Sequence, residues 1–162
     1  MALLITPADT AFSWCVRERA NWRCERCMKQ YDRDDPNARK GLHCSHWMGR
    51  GNWSTRFNPL NGFSHCRGCH QYFSARPALF TDWVIERHGE EVADKLKALS
   101  NKPAKGLRRR VGEIAKWYRQ ENKAQLEKRK EGHTGWLPFV IAIQVPDIEM
   151  ADWTNWALQN VS

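Results

Sequence analysis

Two Cys-x-x-Cys pairs, separated by 38 residues, constrain this chain more than any other feature of its sequence. A two-residue spacer lets both sulfurs of a pair reach one ion from a tight turn, and two pairs supply the four thiolates of a closed structural zinc site. The segment between the pairs must then fold inside the loop that the metal closes. The sequence therefore predicts a small domain held together by Zn²⁺, with the ligands Cys24, Cys27, Cys66 and Cys69.

The remaining two of the six cysteines, Cys15 and Cys44, have no partner at metal-binding spacing. We expect both to be buried, because an unpaired cysteine usually behaves as a small apolar residue. Metal-paired cysteines are typical of a reducing compartment, and no apolar run approaches the roughly 20 residues that span a bilayer. The first residues also lack the basic region of a signal peptide. We therefore expect a cytosolic protein without a membrane association.

The chain is strongly basic, and its charged residues are unevenly distributed. The net charge is +8 and the isoelectric point about 9.4. Between residues 101 and 131, eleven Lys and Arg stand against four Asp and Glu, whereas residues 132–162 contain three acids and neither Lys nor Arg. A polyanionic partner such as DNA accounts for this excess. A solvated basic helix face accounts for it equally well, so charge alone leaves both interpretations open.

The pattern of helix caps, breakers and apolar spacing predicts mostly helices around a short hairpin. Thr6, Pro7 and Asp9 form a helix start, and Gly89 ends a later helix. We expect helices at 6–20, 66–74, 77–87, 90–99 and 111–131, a strand at 42–48 and a loop at 49–59.

The C-terminal segment, residues 133–162, is rich in Trp and differs in composition from the rest of the chain. Its apolar run, Leu137–Val145, has Pro138 near its start and Pro146 directly after its end. The run is predicted to form a strand that covers the core. Residues 147–160 are predicted to form a short amphipathic helix that docks on a partner or on a second copy of the chain. We divide the chain into residues 1–100, a domain that contains the N-terminal helix and the cysteine pairs, residues 101–132, a basic linker and a long helix, and residues 133–162, the Trp-rich segment that covers the core or contacts a partner.

Three polar residues between and just after the cysteine pairs fall in the order His46, Asn61, His70, with separations of 15 and 9 residues. Phosphodiester hydrolysis needs a general base with a pKa near neutrality, and we assign that role to His46. It also needs a cation to neutralise charge on the phosphate and the leaving oxygen, and His70 is the expected ligand. We expect Asn61 to fix the loop and orient the His46 ring through a hydrogen bond.

This order and spacing resemble the HNH, or ββα-metal, nuclease motif, in which the first His ends a strand and the last lies on a helix. The junction Cys66-x-x-Cys69-His70 is also similar to that of zinc-stapled HNH domains. The resemblance implies an α+β fold, with a ββα-metal core, a four-cysteine zinc staple and surrounding helices.

The second ligand of the catalytic cation is less obvious. HNH domains usually place an Asp or His directly before the base, where this chain has Ser45. His43 can substitute, but strand alternation puts it on the opposite face from His46 unless the strand twists or bulges. A cation held by few protein ligands suits Mg²⁺ or Mn²⁺ completed by water and phosphate oxygens.

Arginines and tryptophans flank these histidines. A guanidinium holds a phosphate through two hydrogen bonds, so Arg50, Arg56 and Arg67 are candidate DNA-binding residues. Trp47 is predicted to pack in the core, while Trp53 is equally suited to the core and to stacking on an unpaired base.

The ordered set of motifs is similar to the phage recombination endonuclease family called NinG or Rap. The similarity covers roughly residues 8–130, although the Trp-rich segment has no counterpart and some NinG proteins have Asn in place of His70. It implies a phage endonuclease in the cytoplasm of a bacterial host that nicks branched DNA, such as Holliday junctions and D-loops, during recombination. The motifs that carry it are Ser45-His46-Trp47-x-x-Arg50, Thr55-Arg56-Phe57-Asn58-x-x-Asn61, His65-Cys66-x-x-Cys69-x-Gln71 and Phe80-x-x-Trp83-x-Ile85-x-x-x-Gly89.

Two other functions remain open from the sequence. One is an HNH endonuclease for nicking, packaging or defence, without a preference for junctions. The other is a zinc module that binds DNA without cutting it. Resolution of a junction requires two cuts, so symmetry suggests a homodimer, and a recombination protein is a second candidate partner.

Overall fold

The computed structural model describes residues 3–148, and its first helix begins where the sequence predicts. Helix α1 spans Pro7–Arg19 and is capped by Thr6, whose hydroxyl accepts a hydrogen bond from the Asp9 backbone N–H. The Asp9 carboxylate accepts one from the Thr6 backbone N–H, which completes a capping box. The other elements are α2 (Ala38–Gly41), β1 (Leu42–His46), β2 (Gly62–Cys66), α3 (Arg67–Ser74), α4 (Pro77–His88), α5 (Glu90–Ser100), a 3-10 helix (Leu107–Arg110) and α6 (Val111–Lys130).

The two strands form an antiparallel hairpin, and α3 follows β2 directly. Leu42 pairs with Cys66 at one end of the hairpin, and His46 pairs with Gly62 at the other. Helix α1 packs on one face of the hairpin. An aromatic cluster from α3 and α4 covers the other face, where Phe63 meets Phe73, Phe80 and Val84. The described residues thus have a mixed α+β fold with a small sheet at its centre.

Gly62 allows α1 to approach the hairpin closely. A Cβ atom at this position would lie 2.7 Å from the Phe12 ring and 3.2 Å from Val16, closer than ordinary packing permits. The ring of Phe12 in turn lies 5.9 Å from that of His46, measured between centroids. The absence of a side chain at Gly62 therefore sets the distance between α1 and the end of β1.

The basic helix α6 belongs to the same core as the hairpin and is not a separate unit. Its Tyr118 hydroxyl donates a hydrogen bond to the Phe57 carbonyl and accepts one from the Ala142 backbone N–H. Gln125 is buried and donates to the carbonyls of Cys15 and Leu137. These bonds tie α6 to α1, to the loop after β1 and to the C-terminal segment.

The apolar run at 137–145 covers the core but does not form the expected strand. Leu137, Phe139, Ala142 and Val145 are buried, mostly against α1 and α6. The Val140 backbone N–H donates to a Glu121 carboxylate oxygen instead of to a neighbouring strand. The predicted amphipathic helix at 147–160 lies almost entirely outside the described residues. Within residues 3–148, no helix combines the length and the apolar character needed to cross a membrane.

Candidate metal centre and active site

Four cysteine sulfurs from the two Cys-x-x-Cys pairs meet at one point. The sulfurs of Cys24, Cys27, Cys66 and Cys69 all lie within 4.8 Å of one another. Those of Cys27 and Cys66 are 3.7 Å apart, which matches the separation of about 3.8 Å expected for two thiolates 2.3 Å from a tetrahedral ion. Three of the four are buried and Cys27 is exposed. The cluster therefore fits a structural Zn²⁺.

A sharp reversal after α1 brings the first pair to the second. Asn21 and Trp22 both adopt left-handed backbone conformations, with φ of 49° and 57°. Trp22 tolerates this because it is buried, its backbone N–H donates to the Arg17 carbonyl and its indole N–H donates to the Glu18 carboxylate. Arg26, between the first two cysteines, donates to the Cys69 sulfur at 3.5 Å, so its charge favours the thiolate form of that ligand.

A buried carboxylate joins the metal centre to the hairpin. Glu25 forms ion pairs with Arg19 at 3.0 Å and with Arg87 at 2.8 Å, and it accepts a hydrogen bond from the Ser64 backbone N–H. Burial by itself would raise the pKa of Glu25, but the two guanidiniums and the backbone N–H outweigh it and lower the pKa. The carboxylate is therefore charged at neutral pH and links α1, α4 and β2.

A cleft with a volume of about 560 Å³ lies along β1 and beside the metal centre. Three of the six histidines of the chain line it, two from β1 and one from α3. Three arginines and one aspartate contribute the charged part of its wall. The histidines are His43, His46 and His70, and the charged residues are Asp9, Arg17, Arg39 and Arg50.

His43 and His70 contact each other within this cleft. Their Nδ1 atoms lie 2.9 Å apart, and the His43 Nε2–H donates to the Lys40 carbonyl at 3.0 Å. A backbone carbonyl on the outer nitrogen is the usual way to orient a metal-binding imidazole. Burial and the neighbouring His43 and Arg50 lower the pKa of His70, so its ring is neutral at pH 7.

The spacing of the two nitrogens fits a six-coordinate cation. Ligands at 2.1 Å in adjacent positions of an octahedron lie about 3.0 Å apart, and in a tetrahedron about 3.4 Å. The observed 2.9 Å between the Nδ1 atoms of His43 and His70 agrees with the first value, and it is also the length of a direct hydrogen bond between the two rings. Two imidazoles are better ligands for Mn²⁺ or another transition metal than for Mg²⁺.

His46 lines the same cleft and has a fixed tautomer. Its Nε2–H donates to the Arg56 carbonyl at 2.9 Å, which leaves Nδ1 as the unprotonated nitrogen. Burial lowers the pKa of His46 to about 4, and the charge of Arg50 acts in the same direction. The ring is therefore neutral at physiological pH and able to accept a proton, but a pKa of about 4 makes it a weaker base than the near-neutral one expected from the sequence.

Asn61 is fully buried and holds the loop that follows β1. Its side-chain amide donates to the carbonyls of Met48 and Thr55, and its carbonyl oxygen accepts from the Met48 backbone N–H at 2.7 Å. The ring of His46 is bonded to the Arg56 carbonyl and not to Asn61. Asn61 therefore acts on His46 through the loop backbone, in place of the direct hydrogen bond that we expected.

The structure corrects the role expected for Arg56. Its side chain is 2% exposed and forms a buried ion pair with Asp9, with nitrogen–oxygen distances of 2.7 and 2.8 Å. Arg56 also donates to the Leu4 carbonyl and to the Arg50 carbonyl. A guanidinium committed in this way has no free edge for a phosphate. Arg50 is half-buried in the wall of the cleft, whereas Arg67 is exposed at the first position of α3 and outside that wall.

Three other residues near the motif, Trp47, Trp53 and Ser45, are packed into the protein and do not line the histidine cleft. The Trp47 indole N–H donates to Thr81, and its ring packs against two apolar clusters. Trp53 packs on Phe57, with the guanidinium of Arg56 4.5 Å from its ring centroid. Ser45 is buried and does not line the cleft.

The sequence did not indicate that four ionisable residues, Asp9, Arg17, Arg39 and Cys44, line the cleft. Asp9 was interpreted only as a helix-capping residue, and Cys44 only as a buried strand residue, although it is half-buried in the cleft. Arg17 reaches the Leu42 carbonyl from α1, and Arg39 lies over the Trp14 ring. The position of Arg39, three residues before β1, is the one signal that suggests proximity to the site.

Comparison of the chain with protein-family models, with curated proteins and with solved structures finds no match. The function must therefore be argued from the geometry of the site.

Proposed function

We propose that this protein is a metal-dependent DNA endonuclease of the HNH type, stabilised by a structural zinc. One observation carries the proposal: three imidazoles with different hydrogen-bonding states share one cleft. His43 and His70 present facing nitrogens 2.9 Å apart, while His46 is neutral and held by a backbone carbonyl. A hairpin followed by a helix carries all three, and this element order is compatible with the ββα core that the resemblance implies.

The chemistry divides between the two sets of residues. His43 and His70 would hold a divalent cation, preferably Mn²⁺, whose contribution there is to neutralise charge on the scissile phosphate and the leaving oxygen. His46 accepts the proton of the attacking water at Nδ1, because Nε2–H is committed to the Arg56 carbonyl. Asn61 keeps that carbonyl in position by bonding to both sides of the loop.

Charge around the cleft favours a phosphodiester substrate. Arg39 and Arg50 line the wall, and neither forms an ion pair among the residues that the structure describes. Arg50 is the best placed to hold a phosphate beside His46, because its charge already acts on that ring. The preference for branched DNA and the role in phage recombination rest on the resemblance to the NinG family alone.

A cleavage assay on linear, flapped and four-way DNA with Mg²⁺ and with Mn²⁺ tests this function. We expect the wild-type protein to cut in the presence of a divalent cation and to prefer the four-way substrate. The variant His46→Ala should lose on the order of 10²- to 10⁴-fold in rate while keeping its affinity for DNA, because the base acts only in the chemical step. The exposed His133, outside the cleft, provides the matched control His133→Ala.

Each outcome has a separate meaning. Equal rates on all three substrates would support an endonuclease without junction preference. A zinc-loaded wild-type protein that binds DNA and cuts nothing with any divalent cation would refute the catalytic proposal in favour of a DNA-binding zinc module.

A further inference from the structure

A second cleft, with a volume of about 510 Å³, lies between the loop after β1 and the segment that joins α5 to α6. Four exposed cationic side chains line it, and no Asp or Glu is among the described residues of its wall. We call this cleft the basic groove. Its cationic residues are Lys102, Lys105, Arg108 and Arg109.

The cations of the basic groove are not neutralised by neighbours. None of the four forms an ion pair within residues 3–148, although Arg110, one position further on, pairs with Glu113. Four unpaired charges close together create a positive potential at this surface, which attracts an anionic partner.

The segment that carries these charges is held firmly by the core. Leu107 is buried with residues of α1 and α6, and Ala104 packs against the same cluster. Gly106 adopts a left-handed conformation, with φ of 80°, that turns the chain into the 3-10 helix. The four charges therefore lie on an anchored turn. The composition of this stretch had indicated a free linker instead.

The basic groove favours a phosphate backbone over stacked bases. The aromatic ring in its wall, Trp53, has the guanidiniums of Arg108 and Arg56 at 5.1 and 4.5 Å from its centroid. The ring thus serves to hold Arg108 in place. The remaining polar contributions from the loop come from Gly51, Asn52 and Ser54.

A single loop joins the basic groove to the histidine cleft. Gly49 and Arg50 line the histidine cleft, and the residues from Gly51 to Ser54 line the basic groove. Arg50 and Trp53 are three residues apart, so at most about 10 Å of chain separates the two walls. One DNA strand advances about 3.4 Å per nucleotide, so a strand bound in one cleft can continue into the other within a few nucleotides.

We propose that the basic groove binds the stretch of DNA backbone that flanks the phosphate at His46. The inference takes its substrate from the proposed endonuclease function and adds where the flanking strand runs. Lys102, Lys105 and Arg109 contact successive phosphates, and Arg108 is oriented by Trp53.

A pair of charge-matched variants tests the basic groove. The first combines Lys102→Gln, Lys105→Gln and Arg109→Gln. The control combines three exposed changes on α6, namely Arg119→Gln, Lys123→Gln and Lys128→Gln, and removes the same number of Lys and Arg. Fluorescence anisotropy with a duplex of about 20 base pairs, without Mg²⁺ or Mn²⁺, gives the dissociation constant as a function of salt.

We expect the groove variant to bind about tenfold or more weakly at low salt, with the slope of log K against log salt reduced by about 2 to 3. The slope for the control variant should differ from that of the wild type by less than about 1, which corresponds to one phosphate contact. Equal losses in both variants, or a groove variant that binds like wild type, would overturn the proposal. Zinc content and thermal midpoint, measured on each variant, should match wild type because all six side chains are exposed.

Failure of the endonuclease proposal is distinguishable from failure of this one. A wild-type protein that never cuts, together with weakened binding in the groove variant, supports the basic groove and removes only the catalysis. A wild-type protein that cuts four-way DNA, together with a groove variant of unchanged affinity, overturns the basic groove and leaves the catalysis standing.

Discussion

Replacement of Arg56 by Gln distinguishes a structural role for this arginine from the DNA contact that the sequence suggested. The side chain is 2% exposed, and Asp9, its ion-pair partner, is 7% exposed. Burial by itself would raise the pKa of Asp9, but the Arg56 hydrogen bond and the capping Thr6 outweigh it and lower the pKa. The Asp9 carboxylate is therefore charged in the wild type, and removal of the guanidinium leaves burial to raise its pKa against the Thr6 hydrogen bonds alone.

The cost follows from leaving that charge unpaired. Loss of one partner of a buried ion pair destabilises a protein by about 3–5 kcal/mol. For a chain of this length, an unfolding entropy of about 2.1 cal/mol/K per residue converts 4 kcal/mol into a fall in Tm of about 12 °C. Arg56 also donates to the carbonyls of Leu4 and Arg50, so the lower bound of this range is conservative.

Urea and thermal denaturation of the zinc-loaded protein measure this cost, with Arg50→Gln as the control. Arg50 has a half-buried side chain in the cleft wall, and its carbonyl, which Arg56 uses, is unaffected by the substitution. We expect Arg50→Gln to change the free energy of unfolding by less than about 0.5 kcal/mol and to weaken DNA binding. The double variant Asp9→Asn with Arg56→Gln should recover part of the loss, because the unpaired charge is then absent.

The buried ion pair is refuted if Arg56→Gln affects DNA binding and Arg50→Gln affects stability. An Arg56→Gln protein within about 1 kcal/mol of wild type, whose DNA affinity loses about one unit of salt slope, would restore the phosphate contact and contradict the buried ion pair.

Three further predictions address the metal centre, the acid sensitivity and the packing. The variant Cys27→Ser removes one of four thiolates and should lose stoichiometric zinc and several kcal/mol of stability, measured by metal analysis and thermal denaturation; full zinc occupancy in the variant would contradict the cluster. Burial lowers the pKa of His65 from 6.5 to about 4, so the unfolded state takes up the proton first and stability is lost as pH falls through this window. Between pH 7 and 4.5, His65→Phe should therefore lose about 2 kcal/mol less than wild type in urea denaturation, and parallel curves would refute this. Gly62→Ala should cost about 1–3 kcal/mol and slow DNA cleavage, because the new Cβ meets the Phe12 ring that lies against His46; a variant with wild-type stability and rate would show that α1 can move aside.

Local signals in the sequence were sufficient for the five longer helices and the cysteine cluster, but not for α2 or the 3-10 helix. Thr6, Pro7 and Asp9 specify the start of α1 through capping chemistry that involves only neighbouring residues. The cysteine pairs are equally local, because a two-residue spacer already requires a knuckle. Gly89 ends α4 with φ of 85°, which is a conformation that glycine adopts without strain.

Long-range pairing was beyond the reach of the sequence. Asp9 and Arg56 are separated by 47 residues, and no local pattern indicates that a capping carboxylate also neutralises a buried arginine. The placement of His43 and His46 in one cleft was also not predictable from strand alternation. Strand β1 has a neighbour on one side only, so the cleft follows its free edge and is lined from both faces.

The strand expected at 137–145 failed for a related reason. Its apolar pattern correctly marks residues that face the core, but a strand also needs a partner edge. Pro138 has no N–H to donate, and the Val140 and Ala142 N–H groups bond to side-chain oxygens of Glu121 and Tyr118. The apolar pattern at 137–145 therefore predicted which residues are buried, but not how their backbone groups are hydrogen-bonded.

Anomalous diffraction at the zinc and manganese absorption edges, from crystals grown with Mn²⁺ and a non-cleavable DNA, tests the central claim most directly. The account predicts a zinc peak surrounded by the sulfurs of Cys24, Cys27, Cys66 and Cys69, and a manganese peak within about 2.2 Å of the Nδ1 atoms of His43 and His70. It also predicts a phosphate between that peak and His46. A manganese peak elsewhere, or DNA bound with no phosphate at the histidine cleft, would contradict the assignment of this cleft as the site of cleavage.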